Sequence, residues 1–272
     1  MRTAVVGHVE WVEFARVERV PAPGAIVQAS DSWGEAAGGG GVASVQLARL
    51  AGSCTLYTAL GRDELGQASL DALTNLGVRV EAARHAGPQR RGFTFVDAGG
   101  ERTITIIGEK HVPHGRDPLP WEELARVDGV YFVSGDNAAA EAARNARVLV
   151  ATARSLSVLQ EAGVELDALV RSAHDPSERY ARGDLEPQPR LAVATAGNGG
   201  GTWETADGRV GSYAAAALPG PAADAYGAGD SFAAGLTFAL ARGDAVERAL
   251  AFAAGCGAAA LTRRGAHGTD YP

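Results

Sequence analysis

The chain has 272 residues, 46% of them hydrophobic, enough to bury one large core with a small appendage. Its 25 basic and 32 acidic side chains leave a net charge of -7, the wrong sign for binding nucleic acid by phosphate neutralisation. Cys54 and Cys256 lie far apart in apolar surroundings without Cys-x-x-Cys spacing, so both read as small buried hydrophobes in a reducing cytoplasm.

Met1 to Gly7 reads as a short strand running into acidic residues rather than a signal peptide, with Thr3 to Gly7 its sheet portion. No later apolar run reaches membrane-spanning length, so a membrane partner is not expected. Val17 to Ser30 shows strand propensity with no helix behind it. Val42 to Ala51 is predicted helical, Cys54 to Leu60 a strand and Gly66 to Leu76 a helix. Gly92 to Ile107 reads as two strands joined by a turn at Asp97-Ala98-Gly99-Gly100. Beyond it, strands at Val130 to Ser134, Val148 to Thr152, Leu169 to Ser172 and Leu191 to Thr195 alternate with helices at Ala138 to Asn145 and Ser155 to Ala162; a helix at Asp230 to Arg242 follows. That alternation predicts an α/β fold, a parallel sheet with helices on both faces. The two segments that break it form either a small lid or an edge hairpin of the main sheet.

The most informative stretch is Asp224-Ala225-Tyr226-Gly227-Ala228-Gly229-Asp230-Ser231-Phe232. It sets a glycine-bracketed turn and one carboxylate at the mouth of a small-residue helix. The amides of Gly227, Ala228, Gly229 and Asp230 are then unpaired first-turn donors, an anion hole that glycine lets a phosphate approach closely. Asp230 beside that hole is placed to take the proton of a hydroxyl attacking a γ-phosphate, unless it merely stabilises the helix start. Other phosphate-binding designs are absent. Lys110, the only lysine, precedes His111, so there is no P-loop, and the glycine run at Gly38 lies too far past the first strand for a dinucleotide fingerprint.

The nine-residue stretch resembles the C-terminal signature of the ribokinase-type (PfkB) family of sugar kinases, Asp-Thr-x-Gly-Ala-Gly-Asp-x-Phe, with Ala225 in place of Thr. The segment from Gly38 through Gly39-Gly40-Gly41-Val42-Ala43 to Arg49-Leu50-Ala51-Gly52 is similar to the family's N-terminal signature. The order of elements agrees, so the resemblance covers essentially all of residues 1–272 as one ribokinase-like domain. It implies a lid made of strands within residues 10–35 and 90–108, through which two copies pair. It also implies a cytoplasmic enzyme that uses ATP and magnesium to phosphorylate a hydroxymethyl group on a sugar or sugar-like molecule.

By the same resemblance, Asp230 is the catalytic base, Gly38, Gly39 and Glu10 hold the acceptor, and Thr195, Gly197, Gly200 and Gly229 line the ATP site, although the turn at Thr195 to Gly200 is on local grounds an ordinary β-turn. Asp175-Pro176-Ser177-Glu178 is a good capping box by itself. The family has Asn-x-x-Glu there, organising magnesium through water. The loop from Ala260 to Thr269 resembles the one that closes a potassium site in cation-activated members. Carbonyls of Tyr226, Ala260, Arg263 and Gly265, with the side chains of Asp224 and Thr269, are the implied ligands. Many relatives continue into a final helix, whereas this chain stops soon after that loop.

The sugar end departs from the family pattern. Glu10 and Val12 stand where an Asn and an Asp read sugar hydroxyls, so the Asp role is lost or passes to Glu13, and Ala43 replaces another Asn. Asp136 replaces a lost contact or is a surface turn residue; Trp11 stacks on the acceptor or packs the lid. Ribose is therefore expected to be a poor substrate, and a larger or less polar acceptor to bind through lid packing around Trp11 and Phe93. The alternatives are a nucleoside kinase and a catalytically idle binding protein of the same fold. The six histidines show no helix-spaced metal cluster, and His111 and His114, in a proline-containing loop, are expected to be exposed.

Overall fold

The computed structural model describes residues 1–268, so Thr269 lies outside the described residues. The elements are β1 (Thr3–Val6), β2 (Glu10–Arg16), β3 (Asp31–Ala37), α1 (Gly38–Ala51), β4 (Cys54–Leu60), α2 (Glu64–Asn75) and β5 (Val78–Arg84). They continue with β6 (Arg91–Val96), β7 (Arg102–Ile107), β8 (Gly129–Phe132), α3 (Asn137–Ala143), β9 (Val148–Thr152), α4 (Leu156–Ala162) and β10 (Ala168–Ser172). The last are β11 (Leu191–Thr195), β12 (Gly201–Thr205), β13 (Val210–Tyr213), α5 (Ala228–Arg242) and α6 (Val246–Ala260).

Nine strands form one sheet in the order β13-β12-β11-β10-β9-β8-β1-β4-β5. It is parallel from β11 to β5, with β12 and β13 added antiparallel. Strands covered on both faces read as continuous apolar runs, and these do. Val5, Leu56, Tyr131 and Val150 pack with the buried residues of α1, α5 and α6. Their neighbours Ala4, Tyr57, Phe132 and Leu149 pack on the opposite side with α3 and α4. That period of two splits the core into two layers around the sheet.

A second sheet, ordered β3-β2-β6-β7, is the predicted lid. Its strands flank the segment expected to be one of them: Val17 to Ser30 is a turn and irregular chain between β2 and β3. Pro21 and Pro23 lack the N–H a ladder needs, and Gly24 adopts φ +82°, so pairing stops there. The hairpin at Asp97 forms as expected, Asp97 Oδ1 accepting from Gly99 and Glu101 amides at 2.8 and 3.0 Å. Strands β5, β12 and β13 and helix α6 were not legible. β5 mixes Arg and Glu into its run, and α6 is so rich in Ala and Gly that no apolar stripe stands out.

Candidate active site

The two glycine-rich signatures meet, because α1 and α5 start side by side at the C-terminal ends of the parallel strands. Gly227 caps α5 at φ +73°, and a Cβ there would lie 2.8 Å from Val42. Gly229 is different: it is exposed, and nothing lies within 4 Å of where its Cβ would point. That empty space in front of the helix amides is where a phosphate fits. Gly38 starts α1 at φ +75°, where a Cβ would come within 3.0 Å of the Glu10 backbone, and its N–H donates to the Tyr226 hydroxyl at 3.3 Å. A Cβ on Gly39 would lie 3.1 Å from Asp230 Oδ1. The missing side chain leaves room for an acceptor hydroxyl against the carboxylate.

Asp230 is half-buried. Burial pushes its pKa up to about 6, the negative Glu178 pushes the same way, and Arg154 and Arg102 pull it back. Such a carboxylate is ionised at neutral pH yet basic enough to accept a proton. Arg154, which sequence reasoning missed, bridges Glu178 Oε1 and Asp175 Oδ2, both at 2.7 Å. Asp175 caps its turn as predicted, through Ser177 N–H at 2.9 Å. Glu178 is buried, and its Oε2 accepts from the Ser172 amide. The carboxylates of Asp175, Glu178 and Asp230 outnumber the one guanidinium between them, an excess of negative charge suited to a hydrated divalent cation.

Neutralising Arg154 should therefore move catalysis as well as structure. Arg154→Gln is expected to raise the acid limb of the kcat/KM pH profile above the parent's, since the charge that lowers the Asp230 pKa is gone. A limb at the parental position would dissociate Arg154 from the base.

Around the acceptor end, Glu10 is buried and pairs with Arg90 at 2.8 Å, with His8 Nε2 3.7 Å away. Burial raises the Glu10 pKa, and Arg90 and Lys110 oppose that. His8 is held neutral by burial and by the positive charges of Lys110, Arg90 and Arg154. These groups form one electrostatic cluster at the Gly38 end of the site, with cations in excess. Val12 is fully buried with Phe14 and Tyr226, so no polar group replaces the missing Asp there.

Trp11 lies on the other face of β2, packed into the main core against Gly34, and Phe93 shares that face through its pairing with Glu13. Strand alternation thus puts both on the face opposite Glu10 and Val12. Asp136 uses Oδ1 to cap α3 at Ala139 N–H, 2.9 Å, and to hold Gly115 N–H at 2.8 Å, which anchors the loop carrying Lys110. His111 is buried, with Nε2 2.8 Å from Pro88 O, and His114 is half-buried, so the expectation of exposure fails for both. That loop folds inward onto residues 85–90.

A cleft of about 390 Å³ opens beside the first turn of α5, lined by Thr195, Gly197 and Gly200 on one wall and Ala228, Gly229 and Phe232 on the other. Mostly apolar and of this size, it suits a nucleotide base and ribose. On the far side of α5's start, Asp224 is buried and accepts from Tyr226 N–H at 2.8 Å and Gly265 N–H at 3.2 Å. The Ala260 carbonyl already accepts from Arg263 N–H. Glu35, also missed, is fully buried, with its pKa raised to about 7 by burial and, to a lesser degree, by Asp224, against the pull of backbone amides and Arg264. Its Oε2 accepts from Ala266 N–H at 2.6 Å, and its Oε1 has no hydrogen-bond partner among the described residues. Two buried carboxylates with an unpartnered oxygen suit a bound cation.

A sequence model of the pfkB family of carbohydrate kinases matches residues 2–271. The chain is 30% identical over 290 residues to the ATP-dependent ribose-1-phosphate kinase of Halopiger xanaduensis, covering 98% of this chain and 94% of that one. Ribokinase from Thermotoga maritima superposes with TM-score 0.77 at 20% identity over 97% of this chain and 94% of its own. Arabidopsis thaliana ribokinase complexed with ribose and ATP gives TM-score 0.74 at 18% identity, over 97% and 93%. The two structural likenesses show a shared fold.

Proposed function

This chain belongs to the pfkB family of carbohydrate kinases, and we propose that it transfers the γ-phosphate of ATP to the hydroxymethyl group of a pentose that already carries a phosphate. The carrying observation is the cationic acceptor end. Arg90 is paired with Glu10, whereas Lys110 makes no ion pair or hydrogen bond among the described residues. A neutral sugar offers such a cation only hydroxyl acceptors, whereas a phosphate gives it a stronger, charge-assisted bond. The relative from Halopiger is named for such a substrate. In this reading the acceptor hydroxymethyl lies between Gly39 and Asp230. Its oxygen attacks the γ-phosphorus, its proton passes to Asp230, and ADP leaves as the γ-phosphate moves past the amides of Gly227 to Asp230.

Asp175 and Glu178 would hold magnesium through water, and the ion would supply charge neutralisation on the transferred group. Asp224 and Glu35 would hold a monovalent cation beneath the anion hole; the Ala260 carbonyl contributes less than expected because it closes the end of α6. A second copy would pair through the lid, where Ile104, Ile106 and Ile107 on the edge strand β7 are 40–44% exposed.

The test is a panel of ribose 1-phosphate, free ribose and nucleosides with parent and Lys110→Ala. Ribose 1-phosphate is expected to give the highest kcat/KM and a bisphosphate product. Lys110→Ala should raise its KM on the order of 10–100-fold, the worth of one charge-assisted hydrogen bond. A nucleoside or free ribose leading the panel, or a variant with parental KM for the phosphorylated sugar, overturns the reading.

A further inference from the structure

We propose that His85, His114 and Asp117 form a binding site for a divalent transition metal of the zinc, cobalt or nickel type, tying together the two loops beneath the lid. One ligand atom from each lies within 4.8 Å of the others, and all three residues are half-buried. His85 Nε2 is 3.1 Å from both Asp117 oxygens, and the His85 and His114 rings are 5.0 Å apart. Two imidazole nitrogens and one carboxylate are the donor set these borderline metals prefer, with a fourth position left for water.

The ligands are held in place by backbone contacts that need no metal. His85 N–H donates to Leu60 O at 3.0 Å, fixing it at the end of β5. Asp117 N–H donates to His114 O at 2.8 Å while His114 N–H donates to Asp117 Oδ2 at 2.7 Å, a closed turn that aims the carboxylate. Asp136 fixes Gly115 inside that turn, and Trp121 Nε1–H holds the Asp117 carbonyl at 3.1 Å. Outer contacts of this kind orient ligands and strengthen metal binding. The neighbouring His111 is not among the residues whose ligand atoms converge; its Nε2 lies 2.8 Å from Pro88 O.

The placement gives the metal a consequence. His85 opens the loop that leads to Arg90, and His114 and Asp117 follow Lys110 in the other loop. An ion on the three ligands fixes the spacing of the two cationic loops at the acceptor end.

The test uses the full chain, free of any histidine tag and stripped with a chelator, titrated with zinc by calorimetry and with cobalt by visible absorption. Saturable 1:1 binding, a raised Tm and the spectrum of a low-symmetry cobalt site are expected. Asp117→Asn keeps an acceptor for the His114 amide and so preserves the turn; it and His114→Ala should each weaken binding by at least about tenfold. Absence of 1:1 binding in the parent, or undiminished binding in folded Asp117→Asn, overturns the proposal. Neither outcome depends on which sugar the enzyme uses.

Discussion

Asp230→Asn is expected to slow phosphoryl transfer by roughly 10²–10⁴-fold, the usual contribution of a general base, while nucleotide affinity stays nearly unchanged. In the proposed mechanism the amides of the turn, not the carboxylate, face the phosphate. In the parent, kcat/KM should fall tenfold per pH unit below about 6, where the Asp230 carboxyl takes up its proton. Stability should move the other way. The folded pKa, about 6, lies above the ordinary 3.8, so the native state binds the proton more tightly and the parent gains stability as pH falls from about 6 towards 3.8. Above pH 6 the held charge costs at most roughly 3 kcal/mol, less where water screens it. The variant lacks that charge. Its Tm should therefore exceed the parent's at pH 8, with the gap closing as pH drops through 6. Parental turnover by Asp230→Asn would remove Asp230 from the mechanism, whatever the melting curves show.

How much of this was visible in the sequence follows from how local each feature is. The glycine turn, Asp230 and helix α5 lie within one short stretch, and the spacing of that stretch alone placed the turn at the mouth of the helix. The parallel sheet was legible because strands buried on both faces are continuous apolar runs. Arg154 and Glu35 were not legible. Arg154 reaches Glu178 across 24 residues and Glu35 reaches Ala266 across 231, and nothing in either's local sequence marks the partner. For Trp11 the sequence left acceptor stacking and lid packing open, because the side of a strand a residue faces depends on register. A one-residue shift exchanges core and cleft. The histidine cluster was missed for the same reason as Arg154: its members share no helix, only two loops that fold together.

Gly229→Val should abolish activity without unfolding the protein, and the contrast with Gly227 makes this decisive. Gly229 has an ordinary helical backbone rather than a left-handed one, and its Cβ direction is open, so valine adds no clash and little strain. Its side chain instead fills the space in front of the α5 amides and keeps the γ-phosphate from reaching them. Losing oxyanion-type donors costs roughly 10²–10³-fold in rate each, so a loss at least that large is expected, with a raised KM for ATP. Gly227→Val should instead fail as a fold: it forces a β-branched residue to φ +73° and drives its Cβ to 2.8 Å from Val42. Its Tm should drop where that of Gly229→Val barely changes. A folded Gly229→Val with parental kcat/KM would mean that phosphate does not pass in front of this turn. The glycine there would then serve only the start of the helix.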